Sequence, residues 1–172
     1  IESNVDVINM SFGGAPGNED SALHLAIQEA VAEGIIVVAS SGNGGHDEIG
    51  DDSILYPAAY DEVISVGAVN RYNERTYYSN YGPKLDLVAP GGSFESGGGI
   101  YSTWGYYDNG QTVAEYDYMQ GTSMAAPYVS GIAALLISND VSPYFVESRL
   151  KNTAVDLGLR GKDDEYGHGL VD

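Results

Sequence analysis

Val5-Asp6-Val7-Ile8-Asn9-Met10 and Gly34-Ile35-Ile36-Val37-Val38-Ala39 bracket the stretch that decides the fold. The first alternates and is rich in β-formers, so it predicts a strand. The second is a continuous apolar run, as expected of a strand buried on both faces. Between them Leu23, Ala26, Ile27, Ala30 and Val31 recur at i, i+3, i+4, i+7 and i+8, one face of a helix. Asp20 or Ser21 is placed to cap that helix, and Gly34 stands where a left-handed residue ends it. Strand, helix and strand over this length make a βαβ unit.

Reading outward, Ser11 to Asn18 and Ser40-Ser41-Gly42-Asn43-Gly44-Gly45 are loops at the carboxyl ends of those strands, the second running into a polar acidic stretch through Ser53. Val63 to Val69 predicts another strand, and Leu85 to Ala89 a shorter one ended by Pro90. Residues 91–118 are rich in Gly, Tyr and Ser, and their aromatic alternation suggests a hairpin or a long surface loop. Gly121 to Asn139 predicts a helix with Val129, Ile132, Ala133, Leu136 and Ile137 on one face. Ser142-Pro143 opens a last helix, Ser as N-cap and Pro at N1, with Val146, Leu150 and Val155 on its buried side. There is no internal repeat and no linker that splits the chain. The fold class is α/β, helices layered on a mostly parallel sheet.

The 172 residues suffice for one domain, and 43% hydrophobic against 19% charged residues is a globular balance. No apolar run approaches the roughly 18 residues of a membrane span; Gly131 to Ile137 reads as core helix instead. Seven basic against 25 acidic residues give a net charge of −18, which repels a phosphate backbone and argues against nucleic acid as partner. A solvated acidic face, cation binding and a salty habitat are all consistent with that charge. Cysteine is absent, so thiolate chemistry is excluded. Ile1 opens on a strand-like run without a basic leader, and Gly169-Leu170-Val171-Asp172 stops without a terminal element. The expectation is a piece of a longer protein.

Three segments carry candidate chemistry. In Gly121-Thr122-Ser123-Met124-Ala125-Ala126-Pro127 a serine stands at the mouth of a helix, near its positive end, with small neighbours. Thr122 or Ser123 as an ordinary N-cap is the competing reading. Asn43 follows a buried strand, where open parallel sheets place ligand sites, and its amide can donate to a developing oxyanion; a left-handed turn asparagine is the alternative. Ser11-Phe12-Gly13-Gly14 offers backbone to an extended peptide, or is a plain loop.

Taken together the chain resembles the subtilisin family of serine peptidases. The resemblance runs through Asn9 to Gly14, Ser40 to Asn43, Tyr56-Pro57-Ala58, Val66 to Val69, Tyr78 to Pro83, Leu87 to Gly91 and Gly121 to Pro127, nearly the whole chain in order. It implies a three-layer fold, here a partial domain, and acyl-enzyme chemistry with Ser123 as nucleophile. It implies that the Asn43 side chain and the Ser123 N–H hold the oxyanion. Ser11, Phe12 and Gly13 then line the subsites on the acyl side and pair with substrate, with Ser40, Ser41 and Gly42 as the facing wall. No cofactor is required for the chemistry. A structural calcium or monovalent cation is implied at the carbonyls of Ala58, Tyr60 and Val63 with the Asp86 side chain. The substrate is a peptide or protein, and the location extracellular or cell-surface.

The pattern breaks in one respect. The family's catalytic Asp and His belong upstream of Ile1, and His24, His46 and His168 each lack the required context. Tyr128 stands where the family commonly has His, a structural position, and residues 92–118 are longer than in the simplest members. A truncated or nicked enzyme is therefore expected, whose chain alone is inactive and either self-associates or binds its missing half. A catalytically silent module that binds peptide or protein is the rival. The elbow of other serine hydrolases, Gly-x-Ser-x-Gly after a strand, is absent. Gly44, Gly50 and apolar Phe12 suggest acceptance of hydrophobic or varied side chains before the scissile bond.

Overall fold

The computed structural model describes residues 5–14, 22–45 and 54–172. Asp20, Ser21, His46 and Gly50 lie outside the described residues. Four strands, β1 (Val7–Met10), β2 (Ile36–Ser40), β3 (Ile64–Val69) and β4 (Leu87–Pro90), form one sheet in the order β1-β2-β3-β4. Every neighbour pair is parallel, with Val7 opposite Ile36, Val38 opposite Ile64 and Val66 opposite Leu87. Helix α1 (Ala22–Ala32) joins β1 to β2 and ends at Gly34, whose φ of 85° is the left-handed conformation expected of it.

The alternation of a pleated strand sends neighbouring side chains to opposite faces and so creates two cores. Val38, Ile64, Val66, Ala68, Leu87 and Ala89 meet α2 (Thr122–Ser138) and α3 (Pro143–Thr153) on one face. Val37, Ala39, Val69 and Val88 meet Ile27 and Ala30 of α1 on the other. The result is the three-layer α/β architecture. Helix α2 crosses all four strands and buries Ala125, Ala126, Val129 and Ala133; its small residues let it lie close to the sheet. Burying a side chain the size of Val129 stabilises by about 1.5–3 kcal/mol. Tyr56-Pro57 is a cis peptide.

Three expectations need correction. Leu23 is 42% exposed, because the described elements cover α1 only along Ile27 and Ala30. Val155 is 47% exposed: α3 ends at Thr153, and the chain then extends to exchange backbone hydrogen bonds with Leu170 at 2.8 and 2.9 Å. Neither Thr122 nor Ser123 is an N-cap, because that position is Gly121, leaving both side chains for other work. The undecided 91–118 region is a hairpin, β5 (Ile100–Asp108) antiparallel to β6 (Gln111–Met119).

Candidate active site

Because the sheet is parallel, the loops after β1 and β2 open at the same edge, and α2 begins there too. Gly121 N–H donates to the Gly91 carbonyl at 3.0 Å, tying the mouth of α2 to the end of β4. Tyr78 braces this junction by donating to the Gly92 carbonyl at 2.6 Å, and burial pushes its phenol up from the ordinary value.

Asn43 and Ser123 meet at this edge through Thr122. The Asn43 side-chain oxygen accepts from the Thr122 backbone N–H and from the Thr122 hydroxyl, both at 2.9 Å. An N–H can only donate, so this contact fixes which end of the amide is oxygen. The amide nitrogen of Asn43 is left without a partner among the described residues. Ser123 is the second residue of α2, so its N–H belongs to the first turn, where no carbonyl lies below it. A Cβ built on Gly121 would lie 3.4 Å from Asn43 Nδ2 and 3.7 Å from Ser123 N. Among the described residues, two unspent donors thus flank the position that a side chain would take at Gly121, whose φ is 150°.

The hydroxyl of Ser123 donates to the Ser11 carbonyl at 3.1 Å, and the Ser11 hydroxyl donates to the Ser123 carbonyl at 2.8 Å. Asn9 Nδ2 donates to Ser11 Oγ at 2.9 Å, and Ser130 Oγ donates to Asn9 Oδ1 at 3.0 Å. Strand β1 is thereby fastened to α2 beside the serine. A carbonyl oxygen cannot take a proton at neutral pH, so these contacts hold Ser123 as a hydroxyl. No histidine among the described residues reaches it. His24 is half-buried, stacked on Tyr60 at 3.8 Å and 3.1 Å from Glu62. His168 lies near Asp86, where burial, then Lys151 and Lys162, lower its pKa from the ordinary value.

The expected wall residues separate into two kinds. Phe12, 56% exposed, and Gly13 lie open beside Ser11. Ser40 and Ser41 are buried, and Ser41 donates to the Asn80 carbonyl at 3.2 Å, which braces the loop. Gly42 has φ 115°, and a Cβ there would run into the Asn80 side chain. From sequence, Thr122 was read only as a candidate N-cap and Asn80 was given no role. Thr122 Oγ1 accepts from Gly42 N–H at 3.2 Å, and Asn80 Oδ1 accepts from Gly44 N–H at 2.7 Å. Both stood inside quoted segments, but nothing local shows partners so distant in the chain.

These contacts decide the family question together with one comparison: the Subtilase family model matches residues 1–169. The chain belongs to the subtilase family. It is 42% identical to subtilisin DY of Bacillus licheniformis over 99% of this chain and 56% of that protein. With subtilisin E of Bacillus subtilis (strain 168) it shares 40% identity over 99% of this chain and 40% of the relative. The minor extracellular protease Epr of the same strain is 33% identical over 99% of this chain and 24% of the relative. The subtilase chain therefore spans about half, or less, of the length of these relatives.

The cation site implied for a subtilase does not fit the residues that gather there. Tyr60, Val63 and Asp86 line one cavity, but so do Lys84, Lys151 and Lys162. One Asp86 oxygen accepts from Ser65 N–H at 2.9 Å, and the other lies 2.7 Å from the Lys151 ammonium. The Tyr60 carbonyl accepts from Val63 N–H at 3.1 Å. Lys151 also meets Glu147 at 2.6 Å, and Lys84 pairs with Asp61. The charge a metal ion would bring is already supplied by an ammonium. No group of three or more His, Asp or Glu side chains is placed to hold a metal among the described residues.

Proposed function

We propose that this chain is the nucleophile-bearing part of a serine endopeptidase that hydrolyses peptide bonds through an acyl-enzyme on Ser123. The observation that carries the proposal is the pinned Asn43 amide, its oxygen held by Thr122 and its nitrogen unspent beside Ser123 N–H. Two preorganised donors beside one carbonyl oxygen stabilise charge as it develops there, and they need no reorganisation at that moment. The exposed edge Ser11–Gly13 offers backbone to an extended peptide. Open Phe12 suits apolar or varied side chains on the acyl side.

The general base is supplied by residues outside this chain, so the chain alone is inactive. It self-associates or binds the rest of the enzyme. No cofactor enters the chemistry, and the geometry around Lys151 keeps a cation at Asp86 out of the proposal. Kinship with a protein named as extracellular supports a location outside the cell or at its surface. Among the described residues no helix is long and apolar enough to cross a membrane.

The test is turnover of a peptidyl anilide by the full-length protein that carries this chain. Ser123→Ala should abolish it. Asn43→Leu should lower kcat about 10²–10³-fold with little change in KM, a range borrowed from removal of one such donor in subtilisin itself, a member of this family. A silent binding module, which also accommodates the Ser123–Ser11 contact, predicts no Ser123-dependent turnover at all.

A further inference from the structure

The hairpin β5–β6 forms a second wall at the serine. A cleft of about 440 Å³ lies between it and the start of α2, lined by Ile100, Trp104, Asp117 and Met119 on one side and by Ser123 and Tyr128 on the other. None of Ser11–Gly13 or Ser40–Asn43 borders this cleft. On the peptidase reading above, a peptide that pairs with Ser11–Gly13 and presents its carbonyl to Ser123 has this separate cleft at the serine for the residues after its scissile bond.

The register divides the hairpin into two chemically distinct faces. Ile100 opposes Met119, Ser102 opposes Asp117, Trp104 opposes Glu115, and Asp108 opposes Gln111. Directly opposed residues share a face, so Asp108, Glu115 and Asp117 stand on one face of the ribbon, and of these three Asp117 lines the cleft. The alternate positions carry Tyr101, Tyr107, Tyr116 and Tyr118. Tyr101 packs on Tyr118 at 4.7 Å and on Tyr116 at 5.5 Å, which clamps the two strands from the other face of the ribbon, and Tyr101 also borders the cleft. Hence the acidic face is presented by a braced ribbon. Between Ile100 and Gln120 the chain has no lysine or arginine to neutralise it. Asp117 keeps an oxygen for a ligand, since only Oδ1 accepts from Tyr118 N–H, at 2.7 Å.

We propose that this face selects substrates whose segment after the scissile bond carries lysine or arginine, with Asp117 and Glu115 as specificity-determining carboxylates and Trp104 as the aromatic surface beneath the cationic stem. The inference rests on the peptidase reading above. Glu115 and Asp117 lie two residues apart on one strand, about 6.6 Å, the spacing of alternate side chains in an extended peptide. A cation between a carboxylate and a tryptophan face gains from both.

The experiment uses the full-length protein with two substrate sets. A peptidyl anilide with no residues after the scissile bond reads the peptidase reading alone, with Ser123→Ala as its control. Internally quenched peptides with one acyl side, and Lys, Leu or Glu at the first three positions after the cleavage site, read the inference. Lys should exceed Glu in kcat/KM by about tenfold at low salt, with the gap closing as NaCl rises. The double variant Glu115→Lys/Asp117→Lys should invert the ratio, and because it is a ratio, any general loss of activity cancels. Anilide turnover with equal rates on Lys and Glu peptides, or a preference unchanged in the double variant, overturns the inference and leaves the peptidase intact. No Ser123-dependent turnover of the anilide overturns both.

Discussion

Asn43 and Asp86 were both assigned to sites by resemblance, and their surroundings give them opposite capacities. Thr122 spends the Asn43 oxygen and leaves the nitrogen beside Ser123 N–H. At Asp86 the Ser65 N–H and the Lys151 ammonium take one oxygen each. Among the described residues the first is held in place with its nitrogen unspent, while the second has both oxygens already engaged, one of them by an ammonium. What a residue assigned by resemblance can bind is decided by what its neighbours leave unsatisfied.

The largest effect that sharpens this contrast is at Thr122. Its side chain is fully buried, so Thr122→Val removes the donor to Asn43 and strands the Gly42 N–H, costing about 1–3 kcal/mol. Because Asn43 keeps only the backbone contact, kcat of the full-length protein should fall at least about tenfold while KM moves little. Thr122→Ser keeps the hydroxyl and should restore most of the loss. If the Val and Ser variants fall equally, Thr122 acts by packing rather than by positioning.

Next comes the charged pair. Lys151→Ala leaves the Asp86 carboxylate partly buried with only one donor, and removal of one partner from a buried pair costs about 3–5 kcal/mol; the partial exposure here brings the expectation down to about 1–2. More telling is the response to calcium. The variant's unfolding midpoint should rise on adding calcium by more than that of the unaltered protein, since the cavity has lost its ammonium. Adding Asp86→Asn to Lys151→Ala should abolish that extra rise. An equal calcium response with and without Lys151 would break the comparison.

Both halves of the contrast show how far one chain can be read. The buried run Ile35 to Ala39, the stripe of α2 and the Ser142-Pro143 start of α3 were legible, because each is a local pattern of burial or capping. That Ser123 and Asn43 share an edge was implied by the family resemblance, and the parallel strands, which open their loops at one end of a sheet, account for the place of Asn43. The roles of Thr122 and Lys151 were not legible. Glu147 and Lys151 show as a helical i,i+4 pair, but nothing in their spacing says that Asp86, on a strand, lies within reach. Leu23 and Val155 were misjudged for a related reason: a stripe tells which side of an element is apolar, not whether another element covers all of it. The hairpin was seen as aromatic, while its division into acidic and tyrosine faces needed the register.

The smallest expected effect is a pH dependence at the same ion pair. Burial opposes the charge on Lys151, but hydrogen bonds to Asp86 and Glu147 more than offset it, so its pKa is held above the ordinary lysine value. A group whose pKa is raised by folding binds its proton more tightly in the folded state. Its contribution is therefore fully present below about pH 10.4, the unfolded value, and is lost as pH climbs through the folded one. Chemical denaturation at pH 8, 9, 10 and 11 should show the advantage of the unaltered protein over Lys151→Met constant at first and shrinking at the alkaline end. Other lysines and tyrosines titrate there too, but they are common to both proteins and drop out of the difference. A gap that stays constant through pH 11 would mean that the ammonium gains nothing from Asp86 and Glu147, and the account of why Asp86 has no room for a metal ion would lose its footing.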